Sequence, residues 1–334
     1  MNSCRASRRG AACAACLIAL AACGAAADEP RAAAEAVARR DAALVDAVRR
    51  SREALEWTDE AVRRDWRLQR RPGTDACRVL DPDDRTVCAG AGAECRSAFD
   101  RLRPPAGRTK AVILLHGLGE GRLSMQPLAE SLRPALDADV MSFGYASVKA
   151  DIDAHARALA AVVAGLPEAE RISFVGHSLG NLVVRRWMAI AAAEDLARVH
   201  RMVMLGPPNQ GADLARLAAK IWGLAARAEG AARDLVVDWE AVAPGLAVPP
   251  CDFGIVAGGK GDDVGFSPLL TGDDDAVVRV DETRLEGAAD FLLVPVHHAS
   301  MMRHERVQRA TAAFLREGRF PARPAPAAAA EGQR

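Results

Sequence analysis

The stretch ISFVGHSLGNLVVRRWM, residues 172–188, places one serine between two glycines at the end of an apolar run. Its centre, GHSLG at 176–180, matches G-x-S-x-G, a pattern in which a buried strand turns sharply into a helix. Glycines are needed there because the strand and the helix pass too close for a Cβ atom. We predict that Ser178 is a nucleophile on a turn built by Gly176 and Gly180, although a glycine turn that only packs a helix on a sheet is the structural alternative.

Apolar runs alternate with helical segments on both sides of this turn, and each run has the length of a buried strand. Strands that alternate with helices predict an α/β fold with a mostly parallel central sheet covered by helices on both faces. The predicted strands are AVILLHG (111–117), DVMSFGYAS (139–147), RISFV (171–175), RMVMLGPP (201–208), FGIVAGG (253–259), AVVRV (276–280) and FLLVPV (291–296).

A serine nucleophile requires hydrogen-bond donors for the oxyanion that forms when it attacks a carbonyl group. In a turn of this type, one backbone N–H belongs to the residue after the serine and the other to the loop that ends the first strand. We therefore assign the oxyanion hole to Leu179 and Leu118. His116 lies just before that loop, where its ring suits a hydrogen bond that shapes the loop.

The base and the acid are expected near the end of the chain. His297 and His298 follow the last predicted strand, and because two adjacent loop residues cannot both face the site, the residues alone do not separate them. Three successive aspartates, Asp273, Asp274 and Asp275, offer a carboxylate that could orient the imidazole. The alternative for such a run is a solvated turn or a cation-binding loop.

These blocks resemble the α/β-hydrolase superfamily, and within it the bacterial triacylglycerol-lipase-like and esterase-like serine hydrolases. The resemblance covers about residues 110–320 and rests on ILLHGLG, FVGHSLGNLVVR, MLGPPNQGADLA, GDDDAVVRVDET and HHASMM, in the order of that family. It implies an α/β-hydrolase fold with Asp275 as the acid and His298 as the base. The D-G-x-V block of the family reads Asp-Ala-Val-Val here, so Asp274 stays an alternative acid, and His297 stays an alternative base.

The catalytic domain is predicted at 108–320, with a small helical cap inserted at about 209–250. An apolar helical face in this insertion would either line a groove for an acyl chain or pack in the core, and a small cap predicts an open pocket. The residues of this face are Leu214, Leu217, Ile221, Trp222 and Leu224.

Residues 1–22 have the layout of a secretory signal, with three arginines before an apolar stretch of about a dozen residues. The closing LAAC resembles a bacterial lipobox, in which Cys23 would be lipidated and become the first residue of the mature chain, whereas an ordinary cleavage after Ala27 is the alternative. The predicted location is the bacterial cell envelope, either lipid-anchored on the periplasmic side of the outer membrane or periplasmic.

Residues 23–107 precede the predicted catalytic domain. We expect one long helix over 31–71, because apolar residues recur there at spacings of four and seven, and a loop-like segment over 74–107. The tail at 321–334 is rich in proline and alanine and is predicted to be disordered. An even number of cysteines outside the signal predicts two disulfides with three alternative pairings. These cysteines are Cys77, Cys88, Cys95 and Cys251.

Charge excludes one class of partner. The whole chain has 44 Lys+Arg and 44 Asp+Glu residues, so the loss of the signal leaves 41 basic against 44 acidic residues, a net charge near −3. A chain with no basic excess does not attract a phosphate backbone, so nucleic acid is not an expected partner.

The residues and the resemblance together predict a serine hydrolase that cleaves carboxylic esters, as a lipase or a carboxylesterase. The expected partners are an ester or lipid substrate and the membrane, reached through lipidated Cys23. No metal and no organic cofactor is expected, and no protein partner is predicted. The same triad serves acyltransferases and amidases, and a non-catalytic envelope lipoprotein could use the fold for binding, so these functions stay open as alternatives.

Overall fold

Two β-sheets organise the part of the chain that the structure describes, which is residues 55–214, 229–236 and 238–322 of a computed structural model. The predicted signal peptide, lipidation at Cys23, the first part of the predicted long helix and most of the predicted disordered tail lie outside these residues. Four predicted cap residues also lie outside them, namely Leu217, Ile221, Trp222 and Leu224.

The first sheet has four antiparallel strands in the order β1-β2-β3-β4, and a helix follows it. Its apolar side chains form a small core of their own, which includes Val79, Cys95 and Phe99. The elements are β1 (Thr58–Arg63), β2 (Trp66–Arg70), β3 (Ala76–Leu80), β4 (Thr86–Ala91) and α1 (Gly92–Asp100).

This sheet corrects two predictions. The helix predicted over 31–71 is wrong from Thr58 onward, because Arg64 and Asp65 both have positive φ, 51° and 65°, and close a two-residue turn between β1 and β2. The apolar spacing of four therefore runs across a hairpin and not along a helix. The loop-like segment predicted over 74–107 is wrong as well, since it contains β3, β4 and α1.

The second sheet has six parallel strands in the order β10-β9-β8-β7-β5-β6, which confirms the predicted parallel α/β fold. One predicted strand, AVVRV at 276–280, is wrong. Its N–H groups at Val277 and Val278 donate to the carboxylate of Asp275 and are therefore not available to a neighbouring strand. The strands are β5 (Lys110–Leu115), β6 (Asp139–Phe143), β7 (Arg171–His177), β8 (Val199–Leu205), β9 (Asp252–Gly258) and β10 (Asp290–Val294).

Helices cover both faces of the six-stranded sheet. The helices at 152–164 and 179–190 pack on one face and those at 126–132 and 305–317 on the other, which divides the apolar core into two clusters. The helices are α2 (Gln126–Leu132), α3 (Ile152–Ala164), α4 (Leu179–Ile190), α5 (Ala193–Ala197), α6 (Gly230–Val236), α7 (Trp239–Val242) and α8 (Glu305–Glu317). Among the described residues, no helix is both long and apolar enough to span a bilayer.

A buried charge joins the two sheets. Asp59 on β1 is fully buried, and its carboxylate accepts hydrogen bonds from Arg67 Nη1 at 2.6 Å, Gln69 Nε2 at 2.7 Å and the Gly144 N–H at 2.7 Å. The Asp59 N–H donates to Gly144 O at 2.8 Å, and Arg67 Nη1 also donates to Ser142 O at 2.9 Å. The small sheet is thus bonded to the backbone at the end of β6.

The described part of the predicted cap packs against the main core. Ala231 and Leu235 of α6 are buried there, and the Ala231 N–H donates to Ala150 O at 2.8 Å. The four described cysteines are free thiols, with Sγ of Cys88 and Sγ of Cys95 3.6 Å apart. The two predicted disulfides stay a prediction, and this distance favours Cys88 with Cys95 as one pair.

Candidate active site

Ser178 lies on the tight turn between β7 and α4. Its φ of 50° and ψ of −121° lie far from helix and strand values, and its N–H donates to Leu205 O at 2.9 Å. A Cβ atom on Gly180 would lie 2.5 Å from Leu115 O, and one on Gly176 would lie 2.4 Å from the side-chain oxygen of Asn181. Only glycine fits at either position, which gives the predicted turn its physical reason.

Asp275 and His298 form a buried pair. Oδ2 of Asp275 lies 2.6 Å from Nδ1 of His298, and the two residues are 0% and 7% exposed. Because a carboxylate only accepts hydrogen bonds, the contact assigns the proton of a neutral His298 to Nδ1 and leaves Nε2 free to accept one. The backbone repeats the link, since the His298 N–H donates to Asp275 O at 2.8 Å.

The carboxylate of Asp275 is also fixed in orientation. Its Oδ1 accepts hydrogen bonds from the N–H groups of Val277 at 3.0 Å and Val278 at 2.7 Å. One oxygen therefore holds the loop while the other faces the imidazole, an arrangement that can fix the ring and stabilise its protonated form.

The two alternative residues point to other partners. Oδ1 of Asp274 accepts from the N–H groups of Ser267 at 2.9 Å and Ala276 at 2.7 Å, and its buried Oδ2 has no hydrogen-bond partner among the described residues. The ring of His297 packs on the ring of Phe266, with centroids 4.1 Å apart. The structure thus brings Asp275 and His298 together, and it does not bring Asp274 or His297 to them.

The ends of β7 and β8 lie beside this pair. Gly206, which follows β8 with a φ of 49°, is so close that an added Cβ would lie 3.0 Å from Nδ1 of His298 and 3.1 Å from Oδ2 of Asp275. His177, the residue before Ser178, has its ring centroid 4.6 Å from that of His298. The serine, the imidazole and the carboxylate therefore belong to one site at the carboxyl edge of the parallel sheet.

Two backbone N–H groups are available for an oxyanion. Gly117 N–H donates to Glu120 Oε2 at 3.1 Å, and Gly119 N–H donates to Ser147 Oγ at 3.1 Å. Between them the N–H of Leu118, like that of Leu179 at the start of α4, has no acceptor among the residues that the structure describes. These are the two predicted donors, and free N–H groups are what an oxyanion needs.

His116 shapes the loop, as expected. Its buried Nδ1 lies 2.9 Å from Gly117 O, and its ring stacks on Tyr145 with centroids 4.1 Å apart. Burial lowers the pKa of His116 to about 4, although the contact with Gly117 opposes the shift, so the ring is neutral at physiological pH.

The carboxylates of the three successive aspartates accept hydrogen bonds from backbone N–H groups. Asp273 accepts hydrogen bonds from the N–H groups of Lys260 at 2.7 Å and Gly261 at 2.8 Å. Across the described ranges, no group of three His, Cys, Asp or Glu side chains is placed to hold a metal ion.

Reasoning from the sequence missed one polar group at this site. Glu120, in the loop after β5, contacts both the backbone of that loop and His177. The only signal for it in the sequence is a single acidic residue inside the glycine-rich loop HGLGEG, residues 116–121.

Comparison with known proteins agrees with this fold. Residues 107–207 match the family described as "Putative serine esterase (DUF676)", a segment that contains Ser178, Leu118 and Leu179 but neither Asp275 nor His298. No curated protein sequence matches the chain.

Solved structures resemble the chain over about two thirds of its length. The mature lipase BlEst2 of Bacillus licheniformis is 18% identical, with a TM-score of 0.51 over 66% of this chain and 95% of that one. The lin2722 gene product of Listeria innocua is 14% identical over 62% and 94%, with a TM-score of 0.45. The metagenomic carboxyl esterase MGS0156 is 18% identical over 60% and 69%, with a TM-score of 0.41. The parallel sheet and the similarity to mature BlEst2 show that the chain has an α/β fold of the same kind, and the strained serine turn lies within the segment that is similar to the serine esterase family.

Proposed function

We propose that this chain hydrolyses carboxylic esters through a triad of Ser178, His298 and Asp275. Ser178 Oγ attacks the ester carbonyl carbon while Nε2 of His298 takes its proton, and Asp275 stabilises the imidazolium that forms. The N–H groups of Leu118 and Leu179 bind the oxyanion. The alcohol leaves with the proton from His298, and a water molecule then releases the acid by the same steps in reverse.

One observation carries this proposal. The 2.6 Å contact between Oδ2 of Asp275 and Nδ1 of His298 lies beside the strained turn that presents Ser178. A buried carboxylate that fixes an imidazole next to a half-buried turn hydroxyl is the arrangement that activates serine for acyl transfer. The match of residues 107–207 to a serine esterase family and the fold shared with a lipase support the choice of ester over amide substrates.

A series of p-nitrophenyl esters with acyl chains of two to sixteen carbons tests the activity on a soluble chain that starts after Cys23. We expect turnover by the wild type and none by Ser178→Ala, and the preferred chain length separates a carboxylesterase from a lipase. Equal turnover by Ser178→Ala would contradict the triad. A folded wild type with no turnover on any ester would move the proposal to amides or acyl transfer, or to binding alone.

Two adjacent pairs in this chain supply matched controls. Asp275→Asn should lower kcat by about 10⁴-fold, because the amide cannot hold the required imidazole tautomer. Asp274→Asn should leave kcat near that of the wild type, since its carboxylate binds only loop N–H groups. His298→Ala should abolish turnover and His297→Ala should not. The reverse order in either pair would overturn the assignment of that residue.

The cell envelope, with a lipid at Cys23, is the proposed location, and it rests on the LAAC sequence at 20–23. The same esterase assay tests it in fractionated cells. Activity of the full chain should sediment with membranes, and in Cys23→Ser it should not. Equal sedimentation of both would remove the lipid anchor from the proposal.

A further inference from the structure

A single carboxylate oxygen gathers three hydrogen-bond donors beside the proposed oxyanion hole. Oε2 of Glu120 lies 3.1 Å from the Gly117 N–H nitrogen, 2.9 Å from Ser124 Oγ and 3.3 Å from Nδ1 of His177. The Glu120 side chain is 25% exposed, so these bonds lie in a partly dry environment where a charge-assisted contact is strong.

His177 contacts both Glu120 and the proposed base, His298. It is the residue before Ser178, its ring is 1% exposed, and its Nε2 lies 3.1 Å from the backbone oxygen of His298. Its ring also packs against the His298 ring. The side chains of Glu120 and His177 therefore join the loop of one oxyanion donor to the loop of the base, and we call this connection the Glu120–His177 link.

The protonation of the link follows from its partners. Burial raises the pKa of Glu120, but the His177 contact and the bonds from Gly117 and Ser124 outweigh it and hold that pKa at about 2. The carboxylate is thus ionised and can only accept, so Nδ1 of His177 carries a proton. Both ring contacts act as hydrogen bonds at the same time only when Nε2 is protonated as well. Burial disfavours this form and lowers the pKa of His177 below its ordinary value, although the hydrogen bond with Glu120 opposes the shift.

We propose that Glu120 and His177 are positioning residues for the ester hydrolysis proposed above, on which this inference rests. Glu120 occupies the Gly117 N–H, which orients the loop so that the neighbouring N–H of Leu118 faces the oxyanion. His177 holds the backbone of His298, so the base and the oxyanion donor keep one fixed separation. Because both act through other groups, their loss changes the rate of the chemical step more than substrate binding.

Two substitutions of Glu120 distinguish the effect of its charge from the effect of its shape. Glu120→Ala leaves Gly117 N–H and His177 without their acceptor, and we expect kcat on p-nitrophenyl butyrate to fall by about 10- to 100-fold with KM within about twofold of the wild type. Glu120→Gln keeps an acceptor oxygen but not the charge that favours the protonated ring, so its kcat should lie between the two. Glu130→Gln, on the exposed face of α2, is the matched control and should match the wild type.

Substitution of His177 separates the two halves of the link. The amide nitrogen of Asn lies close to the position of Nδ1, so His177→Asn keeps a donor for Glu120 and loses the contact with His298. The amide of Gln reaches nearer to the position of Nε2, so His177→Gln keeps the second contact and loses the first. We expect kcat of both variants to fall with KM little changed, because the link needs both ends.

The outcomes of these measurements are distinguishable. Wild-type kcat in Glu120→Ala and in both His177 variants, with Ser178→Ala inactive, would overturn the link and leave the proposed function intact. Full turnover by Ser178→Ala would overturn the proposed function itself. If Glu120→Ala does not fold, as judged by its thermal melt, the graded series of Glu120→Gln and the two His177 variants decides the question. A rise in KM with unchanged kcat would show a binding role and would also overturn the link.

Discussion

Ala276, the residue after the proposed acid, has a φ of 82°, in the region that favours glycine. A side chain in this left-handed conformation costs about 1–2 kcal/mol. The conformation persists because the Ala276 N–H donates to Asp274 Oδ1 at 2.7 Å, while the next two N–H groups bind Asp275. The resemblance to α/β-hydrolases predicts glycine at this position, and a strained alanine occupies it here.

Replacing this alanine should stabilise the protein. Ala276→Gly removes the strain but adds about 0.5–1 kcal/mol of chain entropy to the unfolded state, so we expect the free energy of unfolding to rise by about 0.5–1 kcal/mol. Ala276→Val should lower it, since a β-branched residue tolerates positive φ least. Urea unfolding measures both changes. A lower stability for Ala276→Gly would show that the loop gains more from the alanine methyl group than it loses in strain.

Single residues of the site differ in how far the sequence could predict them. Ser178 and its glycines follow from a local pattern, because the close approach of strand and helix is a property of five consecutive residues. The choice of His298 over His297 depends on which side of a loop faces Asp275, and that is decided by contacts more than twenty residues away in the chain. The local sequence does not indicate such contacts.

At the scale of elements, the two sheets are joined by a buried ion pair. Asp59 and Arg67 are 0% and 3% exposed, so each neutralises a charge that water cannot reach. Asp59→Ala would leave the Arg67 guanidinium buried without a partner, and we expect it to cost about 3–5 kcal/mol of stability in urea unfolding.

An exposed pair in the turn between β3 and β4 is the control for that experiment. Asp83 and Arg85 lie 2.6 Å apart with side chains 67% and 73% exposed. Asp83→Ala should change the free energy of unfolding by no more than about 0.5 kcal/mol, because solvent screens such a pair. An equal loss in Asp59→Ala and Asp83→Ala would mean that burial of the Asp59 pair adds nothing to the docking of the two sheets.

The same burial explains which elements were predictable. The parallel strands are covered on both faces, so they read as continuous apolar runs such as ILL at 113–115 and FV at 174–175. The strands of the small sheet carry polar residues whose partners lie on β6 or directly after it, as those of Arg67 and Asp59 do. A run such as WRLQR, residues 66–70, is apolar only in part and matches a helix as readily as a strand.

At the scale of the whole molecule, two buried histidines make stability depend on pH. Burial lowers the pKa of His116 to about 4 and that of His155 to about 3, from an ordinary value of 6.5. Below pH 6.5 the unfolded chain binds protons that the folded chain does not. The contribution of these rings to the free energy of unfolding therefore has its full value above pH 6.5. It decreases as the pH falls toward 4 and 3.

His155→Leu tests this dependence, because Nε2 of His155 is buried without a hydrogen-bond partner among the described residues. We expect the wild type to lose stability between pH 6.5 and 5, and the variant to lose about 1.4 kcal/mol less for each pH unit, the effect of one proton. Thermal melts across this range measure the slope, with pH 7.5 as the reference where the ring is neutral in both states. Identical slopes for the two proteins would show that His155 accepts a proton in the folded state.

The bonds from β1 and β2 to β6 also determine which edge of the six-stranded sheet is accessible to other molecules. β6 is an edge strand of this sheet, and unpaired backbone groups on its outer side could pair with a strand of another chain. Arg67 on Ser142 O, Asp59 on both backbone groups of Gly144, and Arg64 on the Asp139 side chain occupy that side instead. A chain shortened to begin at residue 107, where the family match begins, would keep the serine turn yet expose this edge to self-association. The small sheet thus covers the β6 edge of the parallel sheet, a role separate from catalysis.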